Sequence, residues 1–526
     1  MPAFDVIIIG SGFGGAVAAC RLAEKDMKVL VLERGRRWDT YPYGPRKPED
    51  AWLWNQRSPE RANGWLDFRC FKNMCVAQCA GVGGGSLIYA NISINAKPEL
   101  FQNGWPMEIS YDELAPYYEK VSQMLRPVPV PEKQIPARFR LMKEAASKMG
   151  YEKRFRPLDL AVTFNADLDT SKADSFDETH SKEWVNSQGA KQGTCIHCGN
   201  CVIGCPVRAK NTLDLNYLAK AEKQHAEIRE LHVVRFIEPF NGHYRVVFDR
   251  IVSNGTLQRG EEKAHRVVVA AGSLGSTELL LRCRDEYKTL PNLSRFLGYN
   301  WSSNGDFLTP ALYADQAISP THGPTITSAI DFLDGSADGE QVFIEDGGFP
   351  DFVGQILLAT TSKPGRNPML RAISSYLRPY IKNRDAHHCV MPWFGQSVDA
   401  ADGRLLLRRH WCKPWERQLR LDWDISRSEK VINAMVNMHR RLSEATGGIP
   451  LIPPTWSIFK TLITPHPLGG CNMGTTQADG VVDHKGAVFG YKNLYVADGA
   501  IVPQAIGLNP SKTIAALAER SAALMQ

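Results

Sequence analysis

Short apolar runs that end near a glycine recur along the chain. The run DVIIIG (5–10) is followed by a helical pattern, GAVAACRLAEKD, and then by a second apolar run, KVLVLERG (28–35). Uninterrupted apolar runs of this length, bounded by glycine, are typical of buried strands. The pattern therefore predicts a strand–helix–strand unit at the start of the sequence.

Two later segments repeat the strand part of this pattern. HRVVVAAGSLGSTELLLRC (265–283) predicts a strand, a turn and a helix, and NLYVADGAIVP (493–503) predicts a strand and a loop before the helical NPSKTIAALAERSAALM. The blocks between them are richer in aromatic residues, proline and alternating patterns. Within these blocks, EQVFIEDGGFPDFVGQILLA and DGRLLLRRHW predict strands of an antiparallel sheet.

The predicted fold class is α/β, with a discontinuous Rossmann-type nucleotide-binding domain and an inserted α+β substrate domain built on an antiparallel sheet. The nucleotide-binding domain is predicted to comprise 1–100, 195–310 (with a Cys-rich loop at 195–206) and 465–526. The substrate-binding domain is predicted to comprise 101–194 and 311–464. A length of 526 residues also favours more than one domain.

Composition narrows the function classes only slightly. With 43% hydrophobic residues, 22% charged residues and a net charge of +6, the chain has an ordinary globular composition, which gives no reason to expect binding to nucleic acid or membranes. The basic run 404–423 is either a solvated face or a docking patch for an acidic redox partner.

Targeting signals are also weak. The start of the sequence has an acid where a secretory signal has basic residues, and no stretch reaches the roughly 18 apolar residues of a membrane span. We therefore expect a cytoplasmic location, although export together with a signal-bearing partner stays open. In the cytoplasm the 12 cysteines are expected to be thiols or metal ligands and not disulfides.

The first strand and helix frame a dinucleotide-binding motif. Gly10, Gly12 and Gly15 form the pattern G-x-G-x-x-G, in which glycine permits the tight turn and lets the backbone approach a pyrophosphate at the helix N-terminus. Glu33 ends the second strand, where an acid can accept a hydrogen bond from a ribose hydroxyl. The motif predicts a dinucleotide but does not by itself distinguish FAD from NAD.

Five further motifs resemble those of the glucose–methanol–choline (GMC) oxidoreductases, and most of all the branch that contains cholesterol oxidase-like proteins. They are GVGGGSLIYANIS (81–93), VVVAAGSLGSTELLLR (267–282), LGYNWSSNGD (297–306), HPLGGCNMG (466–474) and VADGAIVPQAIGLNPSKTIAALAER (496–520). The similarity spans the chain and follows the family's order. It implies the GMC fold, FAD as cofactor, and an enzyme that oxidises the CH–OH group of a small-molecule alcohol.

The resemblance also implies roles for individual residues. The pyrophosphate of FAD would lie at Gly10, Gly12 and Gly15, and its adenosine ribose at Glu33. The other cofactor-binding residues that it implies are Gly83, Gly84, Gly85 and Ser86 along the isoalloxazine, Asn91 near the flavin, Val234 at the adenine, Gly272 in a second FAD-binding turn and Asp498 near the ribityl-phosphate.

By the same resemblance, His466 and Asn509 face the flavin N5 edge. A histidine can take the hydroxyl proton because its ordinary pKa is near 6.5, and an asparagine can orient the hydroxyl. Asn509 has a competing interpretation as a helix cap. Glu345 is either a catalytic carboxyl that moves protons, as in cholesterol oxidases, or a surface carboxylate, and Gln396 is a further candidate for the cavity wall.

A further motif, rich in cysteine, is separate from the five family motifs. CIHCGNCVIGCP places Cys195, Cys198, Cys201 and Cys205 at the C-x2-C-x2-C-x3-C-P spacing of bacterial ferredoxins, which predicts an iron–sulfur cluster of the [4Fe–4S] or [3Fe–4S] kind. A structural zinc site, a disulfide pair and a thioredoxin-like pair fit the spacing less well. An apolar loop without metal also stays open.

The ligands of such a cluster are not settled by spacing. In two-cluster ferredoxins the fourth cysteine of this motif binds the other cluster, so the fourth iron could be held by Cys205, be held by a remote cysteine, or be missing. Cys70, Cys75 and Cys79 are the remote candidates, and with Cys205 they would even supply a second cluster.

The cluster decides the expected electron acceptor. A one-electron relay beside the flavin favours a dehydrogenase that passes electrons to a protein or a quinone. Without a cluster, a cholesterol oxidase-like sterol or alcohol oxidase that uses O2 is the alternative, and a non-redox lyase on the same fold is a further one. In each case the substrate is expected to be fairly hydrophobic, and neither nucleic acid nor a membrane span is expected.

Overall fold

The computed structural model describes residues 2–38, 52–172, 176–313, 316–351, 386–409, 416–458 and 460–525. Its strands are β1 (Phe4–Ile9), β2 (Val29–Leu32), β3 (Leu66–Cys70), β4 (Met74–Cys79), β5 (Phe155–Pro157), β6 (Trp184–Val185), β7 (Lys191–Gln192), β8 (Glu227–Arg229), β9 (His232–Phe240), β10 (His243–Ile251), β11 (Leu257–Val269), β12 (Phe307–Leu312), β13 (Ser328–Ala337), β14 (Glu340–Asp346), β15 (Val390–Ser397), β16 (Arg404–Arg409), β17 (Arg417–Asp422), β18 (Ile449–Pro450), β19 (Leu462–Thr464) and β20 (Leu494–Val496).

The α-helices are fewer and lie mostly at the ends of these strand groups. They are α1 (Phe13–Ala23), α2 (Tyr111–Leu125), α3 (Ala137–Lys148), α4 (Tyr217–Lys223), α5 (Gly272–Leu281), α6 (Glu429–Ala445), α7 (Pro454–Ser457) and α8 (Ser511–Leu524).

The first sheet collects strands from both ends and the middle of the chain. Its order is β8-β2-β1-β11-β10-β9, and β20 pairs with the last residues of β11. The pairs from β8 to β11, and that of β11 with β20, are parallel, whereas β9 and β10 extend the sheet in antiparallel fashion. In register, Ile8 lies opposite Val31 on one side and Val268 on the other.

This sheet is buried because helices cover it, which explains why its strands are apolar without alternation. Every residue of β2 is buried, as are five of the six residues of β1. Helix α1 is the crossover between β1 and β2, and it packs against α8 and α4. Arg21 of α1 bonds through Nε to the Glu519 carboxylate of α8 at 2.7 Å, so the last helix is held to the first strand–helix unit.

The second sheet is antiparallel and has the order β18-β12-β15-β14-β13-β5. Helices α6 and α3 pack against it. In the middle of the sheet, Glu345 of β14 lies opposite Phe394 of β15. A further small sheet, β19-β4-β3, connects the two halves.

The predicted fold class is confirmed by this mixture of a Rossmann-type parallel sheet and an antiparallel sheet. The exact domain bounds stay a prediction, and β12 begins three residues before the predicted bound at 310. DGRLLLRRHW differs from its expected place: β16 pairs with β17 in a separate two-stranded sheet. Its last two residues, and 352–359 of the other predicted strand segment, lie outside the described residues.

No helix in the described part of the chain combines the length and the apolar character that crossing a membrane requires.

Candidate active site

A single large cavity, with a volume of about 1600 Å3, begins where the parallel strands end. Its walls include Gly10 after β1, Glu33 after β2, Ala271 after β11 and Asp498 after β20. In α/β sheets the carboxyl ends of the strands are the usual place for a ligand. The cavity continues from there to His466 and Asn509 beside the antiparallel sheet.

The glycine motif forms a tight turn against two neighbouring strands. Gly10 has φ +98°, and a Cβ atom at this position would lie 2.4 Å from the carbonyl oxygen of Ala270. A Cβ at Gly15 would lie 2.1 Å from the carbonyl oxygen of Gly10. Gly12 is different, because a Cβ there would have only Gly84 at 4.0 Å. Gly12 thus keeps open a space on the cavity side, at the N-terminus of α1.

Glu33 is 4% exposed, and its carboxylate stabilises this turn by hydrogen bonds. Its Oε2 accepts hydrogen bonds from the backbone N–H of Ser11 at 3.0 Å and from the Ser11 hydroxyl at 2.7 Å. Its Oε1 accepts from the backbone N–H of Gly35 at 2.9 Å. A carboxylate has about four acceptor sites. One site therefore remains on the cavity side for another donor, such as a ribose hydroxyl.

The loop Gly83–Ser86 lies directly over the glycine turn. Gly83 (φ +108°) and Gly84 (φ +52°) adopt left-handed conformations, and a Cβ at Gly84 would lie 2.5 Å from the Cα of Gly12. Gly84 and Gly85 line the cavity. Ser86 does not: its hydroxyl donates to the carbonyl of Gly83 at 2.7 Å and accepts from the N–H of Leu213 at 3.0 Å. Ser86 therefore fixes the loop from behind.

Asn91 follows this loop and is fully buried with φ +71°. Among the described residues neither its Oδ1 nor its Nδ2 has a hydrogen-bond partner. Buried side-chain amides are normally satisfied. Because its neighbours Ala90 and Ile92 line the cavity, Asn91 has the properties of a residue that completes its hydrogen bonds with a bound molecule.

Asp498 ties the last strand to helix α5. Its Oδ2 accepts from the backbone N–H of Gly272 at 2.8 Å and from the hydroxyl of Ser276, and its Oδ1 accepts from the N–H of Ala500 at 2.8 Å. Burial raises the pKa of this carboxyl, while these three donors lower it. Asp498 and Gly272 both line the cavity, as does Val234 of β9.

His466 stands at the far end of the cavity, between Pro465 and Pro467. Its Nδ1 lies 2.9 and 3.1 Å from the two carboxyl oxygens of Asp306. Asp306 has no exposed side-chain surface, and burial raises its pKa, whereas its contacts with His466 and Thr464 lower it. No described residue bonds to the other ring nitrogen, Nε2, and 19% of the His466 side chain is exposed.

Asn509 lines this end of the cavity, and Glu345 lies behind it, outside the residues that form the cavity wall. Glu345 has no exposed surface, so its interpretation as a surface carboxylate is wrong. Its Oε2 accepts from Nε2 of Gln396 at 2.9 Å, and Asn509 is a further hydrogen-bonding neighbour. Burial raises the pKa of Glu345 to about 8, although the Gln396 contact lowers it. This carboxyl therefore carries a proton at pH 7.

The side chain of Asn509 makes no capping hydrogen bond to α8, whose N-cap is Pro510. Its interpretation as a helix cap is therefore wrong. Its Oδ1 is buried and has no partner among the described residues. Asn509 thus presents an unused acceptor at the cavity.

The four cysteines of the ferredoxin-like motif lie around one small cavity of about 20 Å3. The sulfur of Cys195 accepts from the N–H of His197 at 3.4 Å, and that of Cys205 from the N–H of Ala209 at 3.1 Å. Burial raises the pKa of Cys195, Cys198 and Cys205. Within the described ranges, however, no three His, Cys, Asp or Glu side chains form a group that could hold a metal ion.

Lys210 connects the cysteine loop to the residues that directly follow the Gly83–Ser86 loop. Its fully buried Nζ donates to the carbonyl oxygens of Cys201 at 2.6 Å, and of Leu87 and Tyr89, each at 3.1 Å. Burial lowers the pKa of Lys210 to about 8, whereas Cys201 and Cys205 act in the opposite direction. An ammonium group is costly to bury without a negative partner. Lys210 in turn acts to lower the pKa of the Cys205 thiol, but burial has the larger effect and raises it.

Two cysteine predictions are wrong: that the cysteines form no disulfides, and that Cys70 and Cys75 are candidate remote ligands of a cluster. Cys70 and Cys75 lie opposite each other in strands β3 and β4 and form a disulfide, with a Cα–Cα distance of 4.1 Å. They are therefore not available as remote ligands, and a second cluster built on them is excluded in this state. Cys79 is a free thiol in the cavity wall.

Three residues of this region were not singled out from the sequence: Ser11, Asp306 and Lys210. Ser11 lies inside the glycine motif and Asp306 at the end of LGYNWSSNGD, whereas Lys210 follows the cysteine motif by four residues. The acid directly before β12 was the available signal, but its partner is 160 residues away in sequence.

Sequence profiles of known protein families match parts of this chain. The sequence profile described as "GMC oxidoreductase" matches residues 183–283 in its N-terminal part and 401–518 in its C-terminal part. A profile for NAD(P)-binding Rossmann-like domains matches residues 8–40, which contain the glycine motif and Glu33.

Similar proteins cover almost the full chain. A cholesterol oxidase from Acinetobacter baumannii is 30% identical, over 98% of this chain and 93% of its own. A cholesterol oxidase from Mycobacterium tuberculosis is 31% identical, over 99% and 91%. Among solved structures, pyridoxine 4-oxidase from Mesorbium loti superposes with a TM-score of 0.65 at 18% identity, covering 99% of this chain and 98% of its own, which supports the fold.

Proposed function

The chain belongs to the GMC oxidoreductase family, in its cholesterol oxidase-like branch, and from this membership we propose that it oxidises the CH–OH group of a fairly hydrophobic alcohol. Family membership makes it an enzyme, an FAD-dependent oxidoreductase that acts on alcohol-type substrates. The identity of the alcohol and the roles of individual residues are the parts that are proposed.

The cavity fits FAD at each point where a chemical requirement can be checked. The space next to Gly12 suits a pyrophosphate, Glu33 has an acceptor site left for a ribose hydroxyl, and the buried amide of Asn91 lacks partners. The residues that would hold the cofactor are those predicted: Gly10, Gly12, Gly15, Glu33, Gly83, Gly84, Gly85, Ser86, Asn91, Val234, Gly272 and Asp498. Bound FAD supplies a two-electron acceptor for the hydride of the alcohol carbon.

The observation that carries the proposal is the arrangement of His466. Its Nδ1 is engaged by Asp306, so its Nε2 is the nitrogen that can take the hydroxyl proton from a substrate in the cavity. Nδ2 of Asn509 carries two hydrogens, so next to its contact with Glu345 it can donate to the oxygen of the same hydroxyl and orient it. Leu308, Ile326 and Phe394 line this end, and they favour an apolar substrate.

Glu345 is proposed to move a proton on the oxidised product, as the family resemblance implies for this carboxyl. A carboxyl that is neutral at pH 7 can donate a proton and, once ionised, take one back. Its full burial and its contact with Gln396 support this role, because both keep the group dry and oriented.

Anaerobic mixing with a panel of sterols, terpenoid alcohols and long-chain alcohols tests the proposal. We expect at least one of these to bleach the flavin absorbance, and the variant His466→Gln to slow bleaching by about 10²- to 10⁴-fold, the usual contribution of a general base. His484→Gln is the matched control, since His484 has a similar side-chain exposure of 21% and lies outside the cavity wall. Absence of bleaching by every alcohol would contradict the proposal and favour a non-redox member.

We also propose that the electrons leave through an iron–sulfur cluster held by Cys195, Cys198, Cys201 and Cys205, towards a protein or quinone acceptor. Support comes from the four sulfurs around one cavity, from backbone N–H groups directed at two of them, and from the buried ammonium of Lys210. A cluster supplies one-electron transfer.

Iron and acid-labile sulfide in anaerobically purified protein, with EPR spectra after dithionite, test this second part. We expect both elements in stoichiometric amounts. Their absence would leave the cysteines as an apolar loop and would favour an oxidase that passes electrons to O2.

A further inference from the structure

Asp306 is a buried carboxyl that contacts the proposed base and Thr464. Its two oxygens lie 2.9 and 3.1 Å from Nδ1 of His466, and its side chain has no exposed surface. It precedes β12 in the second half of the fold, whereas His466 follows β19. The contact is therefore made only in the folded chain.

Thr464 fixes both partners. Its hydroxyl lies within hydrogen-bond distance of the Asp306 carboxyl and of the carbonyl oxygen of Ser303, and it accepts from the backbone N–H of His466 at 2.8 Å. Thr464 therefore holds the backbone of His466 and the carboxyl of Asp306 at one common partner.

Such a contact decides which ring nitrogen carries the proton. A neutral histidine has one N–H and one acceptor nitrogen, and the hydrogen bond at one nitrogen sets the state of the other. A carboxylate can only accept, so an ionised Asp306 requires the proton to be on Nδ1. The lone pair is then on Nε2, where a substrate hydroxyl can reach it.

We propose that Asp306 is the positioning residue of this enzyme: it holds His466 in the Nδ1–H tautomer and stabilises the imidazolium that forms when Nε2 takes the substrate proton. The inference rests on the proposed role of His466 as the base. It adds a carboxyl–histidine pair to the reaction without placing Asp306 in contact with substrate.

The variant Asp306→Asn tests it, because asparagine keeps the shape but can donate a hydrogen bond to Nδ1 and so favours the wrong tautomer. We expect anaerobic flavin reduction by a substrate alcohol to slow by about 10²- to 10⁴-fold, with KM changed by less than about threefold. Bound FAD and its absorption spectrum are expected to stay as in the native protein.

Asp399→Asn is the matched control. Asp399 is also a buried carboxyl, and it accepts from the hydroxyl of Ser302 at 2.7 Å and from the N–H and hydroxyl of Ser303 at 2.9 and 2.8 Å, without touching His466. If the loss arose only from disturbed packing, this variant would lose activity to a similar extent at a similar loss of melting temperature, and the inference would be overturned.

A measurement without turnover separates this inference from the proposed function. In protein labelled with 15N-histidine, with the His466 signals assigned by their loss in His466→Asn, we expect the Nδ1–H tautomer, and a shift towards Nε2–H in Asp306→Asn. An Nε2–H tautomer in the native protein would mean that Asp306 is itself the donor, and would overturn the inference even if alcohols are oxidised. Failure of every alcohol to react would instead count against the proposed function alone.

Discussion

At the scale of single residues, Glu345 shows how burial sets the protonation state of a carboxyl. Transfer of the carboxylate away from water disfavours its charge, and this effect exceeds the lowering of the pKa by the hydrogen bond from Gln396. The result is a pKa raised from 4.5 to about 8. The group is thus neutral where neighbouring surface acids are charged.

This shift predicts a pH-dependent stability. Below pH 4.5 the carboxyl is neutral in both states, but between pH 4.5 and 8 it ionises only in the unfolded chain. Each pH unit in this window therefore lowers the free energy of unfolding by about 1.4 kcal/mol. In Glu345→Gln this loss is absent, so its melting temperature is expected to rise relative to native as pH goes from 5 to 8.

Glu340→Gln serves as the control for that experiment. Glu340 lies at the start of the same strand and pairs with Lys430 at 2.6 Å near the surface, where ion pairs contribute little. A similar pH trend in this variant would show that the trend does not arise from the burial of Glu345. A constant difference between Glu345→Gln and native would contradict the raised pKa of Glu345.

At the scale of elements, the turn from β1 into α1 separates packing from binding among neighbouring glycines. A Cβ at Gly14 would lie 1.4 Å from the carbonyl oxygen of Ala497, so α1 packs directly on the end of β20. A Cβ at Gly12 would meet no protein atom closer than 4.0 Å. Gly14 is therefore required for the packing of the protein itself, whereas Gly12 is required only by the molecule that binds there.

Two alanine variants test this separation. Gly14→Ala is expected to lower the melting temperature of the apoprotein, because strand or helix must move. Gly12→Ala is expected to leave that temperature within about 2 °C of native and to weaken FAD binding at least about tenfold, since the methyl group occupies the place of the pyrophosphate. Thermal scans of the apoprotein and FAD titrations measure both effects, and native-like FAD affinity in Gly12→Ala would contradict the assignment.

At the scale of the whole molecule, the cysteine loop forms part of two cavities. Cys201 lines the small one, whereas the next two residues, Val202 and Ile203, line the large one. Lys210 joins the same loop to Leu87 and Tyr89, which follow the Gly83–Ser86 loop. The cysteine loop therefore borders both the small cavity and the proposed cofactor cavity.

This proximity predicts different effects on the two halves of the reaction. Cys201→Ser is expected to leave flavin reduction by alcohol within about twofold of native and to slow reoxidation by a one-electron acceptor such as ferricyanide at least about tenfold. Cys389→Ser, which changes another free and partly exposed thiol, is the control. Equal reoxidation rates in all three proteins would count against a relay through this loop.

Sequence alone was sufficient for the parts of this protein whose signals are local. The parallel strands follow from uninterrupted apolar runs, and the turn at Gly10, Gly12 and Gly15 follows from the glycine spacing between a strand and a helix. The family motifs placed His466 and Asn509 as candidates, and the structure brings both to one end of one cavity, with the further candidate Glu345 buried next to Asn509. Their catalytic roles stay predictions.

Only the tertiary structure decided the pairings that join distant segments. Asp306 contacts His466, and Lys210 donates a hydrogen bond to the carbonyl of Leu87. Cys70 pairs with Cys75 because strands β3 and β4 place them opposite each other. The burial that makes Glu345 neutral likewise depends on neighbours from β15 and the start of α8. A local pattern specifies which residues form an element, but charge, protonation and partner choice depend on the surroundings that packing creates.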